Sequence, residues 1–333
     1  MTASANSVGA RFSVVIANYN GGAMLEECVC SVVREGVPAA RIIIVDNGSQ
    51  DGSIDNLQRN VDGLSIIHNS CNAGFAKAVN QGINLAVSAA SPSEFLLLLN
   101  NDAQLEPGAL QAFAAGFGTL PNLAIAGGQL RYPGGRLQSA FAPFPSVAEE
   151  ILPRFVLSAI FPDRFRRKTI QQNPIAVECV LGACLCVRSS TLPALGLLDE
   201  DYFFFFEEIE WCQRARRMGT EVYYLPAARA VHGHGQTADR FRGPARVEYQ
   251  RSKLIFFRKT RTASAYIAVS IILVLRTLIN ALAAAVACVA TLFLNRSLRS
   301  KAATYWYLLG WHLMLRPANW GLPGKCARPA DAG

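Results

Sequence analysis

The sequence has few charged side chains for its length. Only 17% of its 333 residues are Asp, Glu, Lys or Arg, whereas an ordinary soluble domain has roughly 25%, and 51% are hydrophobic. We therefore expect part of the chain to lie against lipid or a large partner. The length excludes a small stapled scaffold and allows a full α/β core, as one large domain with an extension or as two medium domains.

The cysteines lack the spacing of a metal site. Nine are scattered along the chain, and the close pairs, Cys28/Cys30 and Cys184/Cys186, are two residues apart rather than in a CxxC arrangement. We expect neither a zinc site nor a disulfide framework. Residues 1–11 are small and polar without an apolar stretch, so we expect no secretory signal and a location in the reducing cytoplasm.

Positive charge is concentrated in one stretch near the C-terminal third of the chain. The net charge is +8, with a pI near 9.1. Such a stretch suits phosphates or an anionic membrane surface. No helix-turn-helix, zinc-finger or aromatic-rich single-strand-binding pattern accompanies it, so we expect a membrane surface rather than nucleic acid as the partner. The stretch contains Arg240, Arg242, Arg246, Arg251, Lys253, Arg258, Lys259 and Arg261.

The first half of the chain repeats one pattern, a short apolar run that ends in polar or glycine-rich residues and is followed by a helical segment. Continuous apolar strands that alternate with helices predict the α/β class, with a mostly parallel sheet covered on both faces. The predicted strands are residues 12–17, 41–45, 64–68 and 95–99, and the clearest helices are residues 24–34 and 76–90.

Polar residues follow each of these predicted strands. In open parallel sheets, ligands bind beyond the carboxyl ends of the strands. We therefore expect Asn18, Asp46, Gly74 and Asp102 to converge on one crevice. Residues 18–22 after the first strand do not supply the GxGxxG of a dinucleotide-binding fold, which argues against an NAD-dependent oxidoreductase.

The second half of the chain is less regular. Residues 127–174 are interpreted as variable loops, and regular structure is predicted again over residues 176–187, in a charged helix within 198–218, and in a strand over 223–232. Two apolar runs, 265–275 and 277–294, are separated by Arg276. The second run is close to the roughly 20 residues that span a bilayer, but interfacial helices or core-packing helices of a soluble domain remain alternatives.

Two carboxylates at strand ends are candidates for binding a nucleotide and its cation. Asp46 can accept hydrogen bonds from a base or ribose, or it can form an ordinary Asx turn. Asp102 follows Asn100 and Asn101 after four leucines. Cations that carry diphosphates use oxygen ligands of this kind, although a strand-ending cap is the simpler interpretation of Asp102.

A second acidic cluster is a candidate for proton transfer. Glu207 and Glu208 begin a predicted helix, where the helix dipole alone would favour them. One of them can also serve as the general base that deprotonates an attacking hydroxyl, with Glu208 the first choice and Glu207 the second. His232 and His234 follow the last predicted strand, and His232 is a candidate metal ligand.

Taken in order, these segments resemble the family 2 glycosyltransferases with a GT-A fold, particularly the bacterial rhamnosyltransferase-like branch. The resemblance covers residues 12–237. It rests on Val-Val-Ile-Ala-Asn-Tyr-Asn-Gly-Gly, Ile-Val-Asp-Asn-Gly-Ser-Gln-Asp-Gly-Ser, Asn-Ala-Gly-Phe-Ala-Lys-Ala-Val-Asn-Gln-Gly, Leu-Leu-Asn-Asn-Asp, Leu-Gly-Ala-Cys-Leu and Leu-Asp-Glu-Asp-Tyr-Phe-Phe-Phe-Phe-Glu-Glu-Ile-Glu.

The resemblance implies roles for individual residues. The Asn100-Asn101-Asp102 triplet stands where the family carries its metal-binding DxD, so Asp102 would be the only acidic ligand there. His232 would be a further metal ligand. Glu207-Glu208-Ile209-Glu210 stands where the family has Glu-Asp-Val-Asp, which puts the base one methylene further out. The implied donor-binding residues are Asn18, Asn20, Asp46, Asn47, Gly74, Lys77, Asn80, Asn100 and Asn101.

The implied activity is an inverting transfer of a sugar from a nucleotide-diphosphate donor to a hydroxyl of a lipid-linked or polysaccharide acceptor. L-rhamnose is the sugar that the resemblance favours, and Mg²⁺ or Mn²⁺ is the expected cofactor. We expect residues 1–240 to form the catalytic domain and residues 241–333 to associate with the cytoplasmic side of the cell membrane. The alternatives are a nucleotidyltransferase and a non-catalytic protein that binds nucleotide sugars at the membrane.

Overall fold

The computed structural model describes residues 8–162, 164–165, 172–233 and 241–326. Within them, nine strands form one sheet in the order β3-β2-β1-β4-β10-β6-β11-β5, with β8 paired to β11, and β7 and β9 form a separate ribbon. The strands are β1 (Phe12–Asn18), β2 (Ile42–Asp46), β3 (Ser65–His68), β4 (Phe95–Leu99), β5 (Ala103–Leu105), β6 (Leu123–Arg131), β7 (Phe141–Ala142), β8 (Ile175–Ala176), β9 (Cys179–Val180), β10 (Cys184–Arg188) and β11 (Glu221–His232).

Helices cover the sheet and then continue beyond it towards the C-terminus. The first eight are α1 (Ala23–Arg34), α2 (Ser53–Asn60), α3 (Phe75–Val87), α4 (Ala109–Thr119), α5 (Val147–Ile151), α6 (Arg154–Ile160), α7 (Leu192–Leu195) and α8 (Glu207–Arg217). The last three are α9 (Arg242–Thr260), α10 (Ala263–Ala290) and α11 (Arg296–Leu313).

Strands β1 to β4 form a parallel segment of the sheet, which confirms the predicted α/β class. β1 pairs in parallel with β2 and β4, and β2 with β3. The side chains of β2 and β4 are buried throughout, as expected for strands covered on both faces. The sheet is mixed beyond this point, because β10 lies antiparallel between β4 and β6.

The prediction of loops from residue 127 onward is wrong at its start, because β6 continues to Arg131. Gly127 and Gly128 weaken the strand pattern in the sequence, but close packing explains both residues. A Cβ on Gly127 would lie 2.4 Å from Val180 Cβ, and one on Gly128 would lie 2.7 Å from the Ala228 carbonyl oxygen. Glycine therefore occurs inside this strand because neighbouring segments approach its backbone.

The two apolar runs near the C-terminus form one continuous helix, α10, rather than two segments. Arg276 does not interrupt it, because its guanidinium lies 3.1 Å from the Glu150 carboxylate on α5. Among the described residues, α10 is the helix that is long and apolar enough to cross a membrane. Much of its surface is exposed, with Ile279 64% and Val286 69% accessible.

A second hydrophobic cluster joins the C-terminal helices to the aromatic segment before α8. The contacts fix α9, α10 and α11 against the first part of the chain, so the C-terminal region contributes to the environment of the sheet. The buried members of this cluster are Tyr202, Phe206, Val247, Leu254, Phe256, Phe257, Val269, Leu273, Leu308 and Trp311.

The C-terminal segment is attached to the loop before α3 by a disulfide between Cys71 and Cys326. The expectation that disulfides are absent is wrong for this pair, because its 255-residue separation has no recognisable spacing in the sequence. Backbone hydrogen bonds accompany the disulfide, from Asn72 N to the Gly324 carbonyl at 2.8 Å and from Cys326 N to the Asn72 carbonyl at 3.2 Å. Residues 322–326 therefore form a strap across this loop.

Candidate active site

A cavity of about 240 Å³ lies beyond the carboxyl ends of β1 and β4 and beside the start of α8. It contains eight of the residues singled out in the sequence, so polar residues from distant segments do converge at this edge of the sheet. These residues are Asn18, Asn47, Asn100, Asn101, Asp102, Glu207, Glu208 and His232.

Asn18 organises the strand ends by hydrogen bonding. Its Nδ2 donates to Asp46 Oδ1 and to the Ser53 hydroxyl, each at 3.1 Å, and its Oδ1 accepts from Asn101 Nδ2 at 2.8 Å. A Cβ on Gly21 would lie 2.4 Å from Asn18 Oδ1, so glycine is required for the loop to pass over this amide. The amides of Asn18, at the end of β1, and Asn101, just after β4, are thereby held in fixed orientations.

Asp46 is buried and does not line the cavity, although it was expected to do so. Its Oδ1 accepts from the Ser49 hydroxyl at 2.5 Å, and its Oδ2 accepts from Ser49 N at 3.2 Å. This geometry agrees with the simpler interpretation of the residue as a turn-forming aspartate. Asp46 supports the crevice through Asn18 rather than by facing it.

Four other predicted donor-binding residues also lie outside the cavity lining. Asn20 Oδ1 accepts from Gln50 N at 2.8 Å in the turn after β1. Gly74 has a φ of +93°, and a Cβ there would lie 2.8 Å from Phe203. Lys77 is exposed on α3, and buried Asn80 hydrogen-bonds the backbone of residue 198 at 2.9 and 3.0 Å. Asn20 and Asn80 thus hydrogen-bond the loops around the cavity rather than facing it.

Asp102 and His232 form the part of the cavity that could hold a metal. His232 Nε2 lies 3.3 Å from Asp102 Oδ1, and both side chains are mostly buried. No group of three or more His, Cys, Asp or Glu side chains that could hold a metal is present among the described residues. A cation here would therefore take two protein ligands and complete its coordination with other oxygens, as Mg²⁺ does with substrate phosphates. His234 lies outside the described residues.

Gln138 orients the His232 ring, a role that sequence reasoning missed because the residue lies in a segment interpreted as variable loop. Its Nε2 donates to the His232 carbonyl at 2.7 Å, so its Oε1, 2.9 Å from His232 Nδ1, is placed to accept. With Nδ1 protonated, a neutral ring presents the Nε2 lone pair towards Asp102. The lone pair of His232 would then face a carboxylate oxygen of Asp102, and a cation between the two groups would stabilise this arrangement. These two donors therefore fit a divalent metal.

Two strained residues set the position of the acidic pair. Phe205 and Phe206 have φ angles of 71° and 74°, in the left-handed region, immediately before α8 begins at Glu207. Such a conformation costs a non-glycine residue about 1–2 kcal/mol. The strain is retained because Phe206 is buried in the second hydrophobic cluster, and it turns the first residues of α8 towards the cavity.

Burial raises the pKa of Glu208 to about 7, while backbone N–H groups including that of Gly182 act in the opposite direction. Burial, and then the charge of Glu208, raise the pKa of Glu207 well above its usual value. One oxygen of each carboxyl, Oε2 in both, has no hydrogen-bond partner. The pair therefore has proton-accepting capacity near neutral pH and buried carboxyl oxygens whose hydrogen-bonding capacity is unused.

The remaining wall is apolar and includes residues that the motifs did not assign to a site. Leu322 comes from the strap, well beyond residue 237, where the resemblance ends, and no signal in the sequence indicates its position. The other members of this wall are Tyr19, Phe75, Leu181, Phe203, Phe204 and Phe205.

Sequence comparison identifies relatives of known activity. The decaprenol-linked rhamnosyltransferase of Mycobacterium tuberculosis, N-acetylglucosaminyl-diphospho-decaprenol L-rhamnosyltransferase, is 24% identical over 254 residues, or 73% of this chain and 82% of that protein. The low-salt glycan biosynthesis hexosyltransferase Agl10 of Haloferax volcanii is 23% identical over 229 residues, which are 69% of each chain.

Two solved structures share the fold. The mannosyltransferase PcManGT from Pyrobaculum calidifontis, in complex with GDP-Man and Mn²⁺, aligns with a TM-score of 0.50 and 15% identity over 91% of this chain and 86% of that one. GalNAc-T7 with UDP, GalNAc and Mn²⁺ aligns with a TM-score of 0.51 and 18% identity over 66% of this chain, which spans only 42% of the GalNAc-T7 chain.

The expected fold and family are both confirmed. The structural neighbours are GT-A glycosyltransferases, and the rhamnosyltransferase relatives agree with the expected branch. The profile described as "Glycosyl transferase family 2" matches residues 13–190, more than half of the chain. The chain therefore belongs to glycosyl transferase family 2 and is a glycosyltransferase with a GT-A fold.

Proposed function

We propose that this enzyme transfers a sugar, L-rhamnose in the first instance, from a nucleotide-diphosphate donor to a hydroxyl of a lipid-linked or polysaccharide acceptor in cell-surface glycan synthesis. The observation that carries the proposal is the common cavity that contains Asp102, His232 and Glu208. A cation held by Asp102 and His232 suits the leaving group of a displacement reaction. A carboxylate with a pKa near neutrality, that of Glu208, suits the deprotonation of the attacking hydroxyl. The rhamnosyltransferase relative supports the choice of sugar and of a lipid-linked acceptor.

The donor would lie against the carboxyl ends of β1 and β4. Asn18, Asn47, Asn100 and Asn101 supply amide donors and acceptors for the nucleotide, and the hydrogen bond from Asn101 to Asn18 holds those two amides ready for it. Asp46, Asn20, Gly74, Lys77 and Asn80 would support the same site from the surrounding turns and α3. A preorganised polar surface of this kind reduces the ordering cost of binding.

Asp102 and His232 would hold Mg²⁺ or Mn²⁺ beside the donor diphosphate. Bound there, the cation would act as a Lewis acid for the charge on the departing nucleoside diphosphate. The Mn²⁺ in the two structural neighbours supports a divalent cation. Gln138 would maintain the His232 tautomer whose Nε2 lone pair is available as a ligand.

Glu208 would take the proton of the acceptor hydroxyl as its oxygen attacks the anomeric carbon. The new bond forms on the face opposite the leaving nucleoside diphosphate, so a single displacement inverts the configuration at that carbon. Glu207, whose pKa is raised further by its neighbour, would remain protonated and donate a hydrogen bond. Burial of both carboxyls keeps water from competing with the acceptor for these positions.

Residues 1–240 would form the catalytic domain, and residues 241–333 would attach it to the cytoplasmic side of the membrane. The exposed face of α10 continues into apolar residues near α5 and α6, including Ile151 and Phe155, which is 75% accessible. Glu150 on α5 pairs with Arg276 at the middle of α10, so the catalytic domain lies beside this helix. Crossing a bilayer would carry α5 into hydrocarbon, which favours an interfacial position for α10.

A thermal-shift screen of the purified full chain against nucleotide sugars, with and without Mn²⁺, tests donor binding. We expect one donor together with Mn²⁺ to raise the melting temperature, and Asp102→Ala to abolish the Mn²⁺-dependent part. Incubation of that donor with a polyprenyl-diphosphate sugar should then yield an extended lipid. A donor that binds but is neither hydrolysed nor transferred would favour the non-catalytic alternative, and absence of any shift would contradict nucleotide-sugar binding.

A further inference from the structure

A second cavity, of about 440 Å³, lies between α9 and α11. Cations and hydroxyl groups from both helices face it, and none of its lining residues is acidic. The arrangement depends on the packing of two helices whose cationic residues are more than fifty positions apart in the sequence. The lining residues are Phe205, Arg242, Ala245, Arg246, Tyr249, Ser300, Lys301, Thr304 and Tyr305.

The basic stretch is not a uniform cationic surface, because several of its members are neutralised inside the protein. Arg251 pairs with Glu248 at 2.8 Å, Lys253 with Glu150, and Lys259 with Asp199. Arg240 lies outside the described residues. Two further cations of α9 are exposed without a described ion pair, Arg246, which lines the second cavity, and Arg258, which lies outside it.

Arg246 and Lys301 are the cations on which the character of this cavity depends. They lie on opposite helices, both are exposed, and neither forms an ion pair with a described residue. Bringing two unpaired cations to one concavity raises the electrostatic free energy of the protein, and a bound anion would lower it. The hydroxyl groups of Ser300 and Tyr305 add donors that suit phosphate oxygens.

Phe205 connects the second cavity to the active site, since it lines both. Its left-handed backbone belongs to the turn that positions Glu207 and Glu208. A ligand that extends past this side chain could place an anionic group between α9 and α11 while its hydroxyl faces Glu208. The donor diphosphate cannot serve as that group if it lies against the Asp102 side of the first cavity.

Apolar surface surrounds the chain that leads into α11. Leu292, Phe293 and Leu294 are 78%, 55% and 82% accessible, and they lie between the exposed helix α10 and the start of α11. Lys301 follows Leu294 by seven residues, about two helical turns. Phosphate-binding groups next to an exposed apolar surface match a molecule with an anionic head and a hydrocarbon tail.

We propose that the second cavity binds the phosphate or diphosphate group of a lipid-linked acceptor and so fixes the position of its sugar hydroxyl at Glu208. This inference rests on the proposed function, because it assigns the anchoring site of the acceptor used there. The lipid tail lies along the apolar surface beside α10 and α11. Arg246 and Lys301 contact the phosphate oxygens.

Vesicle binding by the full chain tests the assignment. The probes are phosphatidylcholine vesicles that contain polyprenyl diphosphate, vesicles with phosphatidylglycerol at the same surface charge, and inorganic pyrophosphate alone. The double variant Arg246→Ala/Lys301→Ala should lose roughly 30-fold in affinity for polyprenyl-diphosphate vesicles, the effect of two direct ion pairs with the diphosphate. Its affinity for phosphatidylglycerol vesicles should change several-fold less, and pyrophosphate alone should bind more weakly than the lipid.

The matched control is Arg258→Ala/Arg299→Ala, which removes the same charge from exposed positions on the same two helices outside the cavity. Equal losses in this control and in the cavity variant would overturn the proposal, as would equal losses on both kinds of vesicle. Pyrophosphate that binds as tightly as the lipid would overturn the lipid source.

Donor binding separates failure of this inference from failure of the proposed function. The melting shift with nucleotide sugar and Mn²⁺ should be the same in wild type and in Arg246→Ala/Lys301→Ala, because the donor occupies the first cavity. A wild type that shows this donor shift but no preference for polyprenyl diphosphate contradicts the anchoring site alone. A wild type that binds the lipid but no nucleotide sugar contradicts the transferase proposal instead.

Discussion

His232 Nε2 and Asp102 Oδ1 lie 3.3 Å apart although the residues are distant in the sequence. Asp102 lies just before β5, and His232 is the last residue of β11. Antiparallel pairing of β11 with β5 places His232 opposite Ala103, the residue after Asp102. A backbone hydrogen bond from Gly233 N to the Asp102 carbonyl, at 2.9 Å, fixes the same register. The candidate metal pair is therefore determined by strand pairing and is present before any ligand binds.

The first prediction concerns Gln138, which would act on a bound metal through His232. Gln138→Ala removes the acceptor that holds the protonated Nδ1, so the ring loses its fixed orientation. We expect the Mn²⁺ concentration for half-maximal activity to rise roughly 10- to 100-fold, while kcat at saturating Mn²⁺ changes little. A Mn²⁺ titration of initial rates measures both quantities.

Gln104→Ala provides the control, since Gln104 hydrogen-bonds Glu27 at an exposed position outside the cavity. It should leave the Mn²⁺ dependence unchanged. If Gln138→Ala lowers kcat at every Mn²⁺ concentration without shifting the midpoint, its role is structural and the tautomer argument is wrong.

The second prediction separates the two glutamates. Glu208→Gln should lower kcat by roughly 100- to 10,000-fold, because the glutamine cannot take the hydroxyl proton. Glu207→Gln should retain activity within about tenfold, since a protonated carboxyl and an amide both donate a hydrogen bond. Steady-state transfer rates, with melting temperatures to verify folding, measure the difference. The opposite ranking would assign the base to Glu207.

The third prediction follows from the raised pKa of Glu208. Only its ionised form accepts a proton, so kcat/KM should rise with pH and level off above a midpoint at about pH 7. A rate profile measured across this range in a series of overlapping buffers gives the midpoint. A midpoint near the ordinary glutamate pKa of 4.5 would mean that burial does not act on the catalytic group as described.

The same shift affects stability. Because folding raises this pKa from 4.5 to about 7, the folded state binds more protons than the unfolded state between those values. The associated stabilisation is present at pH 4.5 and is lost as the pH rises to about 7, a change on the order of 3 kcal/mol. Glu208→Gln does not titrate, so its free energy of unfolding relative to wild type should be greater at pH 8 than at pH 5 in urea titrations.

The convergence of the polar residues could be predicted because it depends on topology. Parallel strands place their carboxyl ends at one edge, so the strand pattern alone predicts that Asn18 and Asp102 share one crevice. Whether a side chain faces the cavity depends on details that the pattern lacks. Asp46 turns towards Ser49, and Asn80 towards the backbone of residue 198, because local hydrogen bonds are available there.

Other parts of the site depend on long-range packing. Gln138 reaches His232 from a loop, and Leu322 reaches the cavity because a disulfide draws the C-terminal segment to the loop before α3. Neither position follows from spacing or periodicity. The glycines of β6 weaken the strand pattern for the same reason, since they are required by contacts with Val180 and Ala228 that form only in the folded chain.

The last prediction concerns the strap that ends at Cys326. Its disulfide closes a loop of 255 residues, so Cys326→Ser should lower the free energy of unfolding by up to about 5 kcal/mol under oxidising conditions. Loss of the strap also removes the constraint on Leu322, which lines the active-site cavity, so donor affinity should fall. Dithiothreitol should reproduce both effects in wild type and neither in Cys326→Ser.

Cys30→Ser, at a free cysteine on α1, is the matched control and should behave as wild type. Equal stability and donor affinity in wild type and Cys326→Ser under oxidising conditions would show that the backbone hydrogen bonds of Asn72 hold the strap without the disulfide.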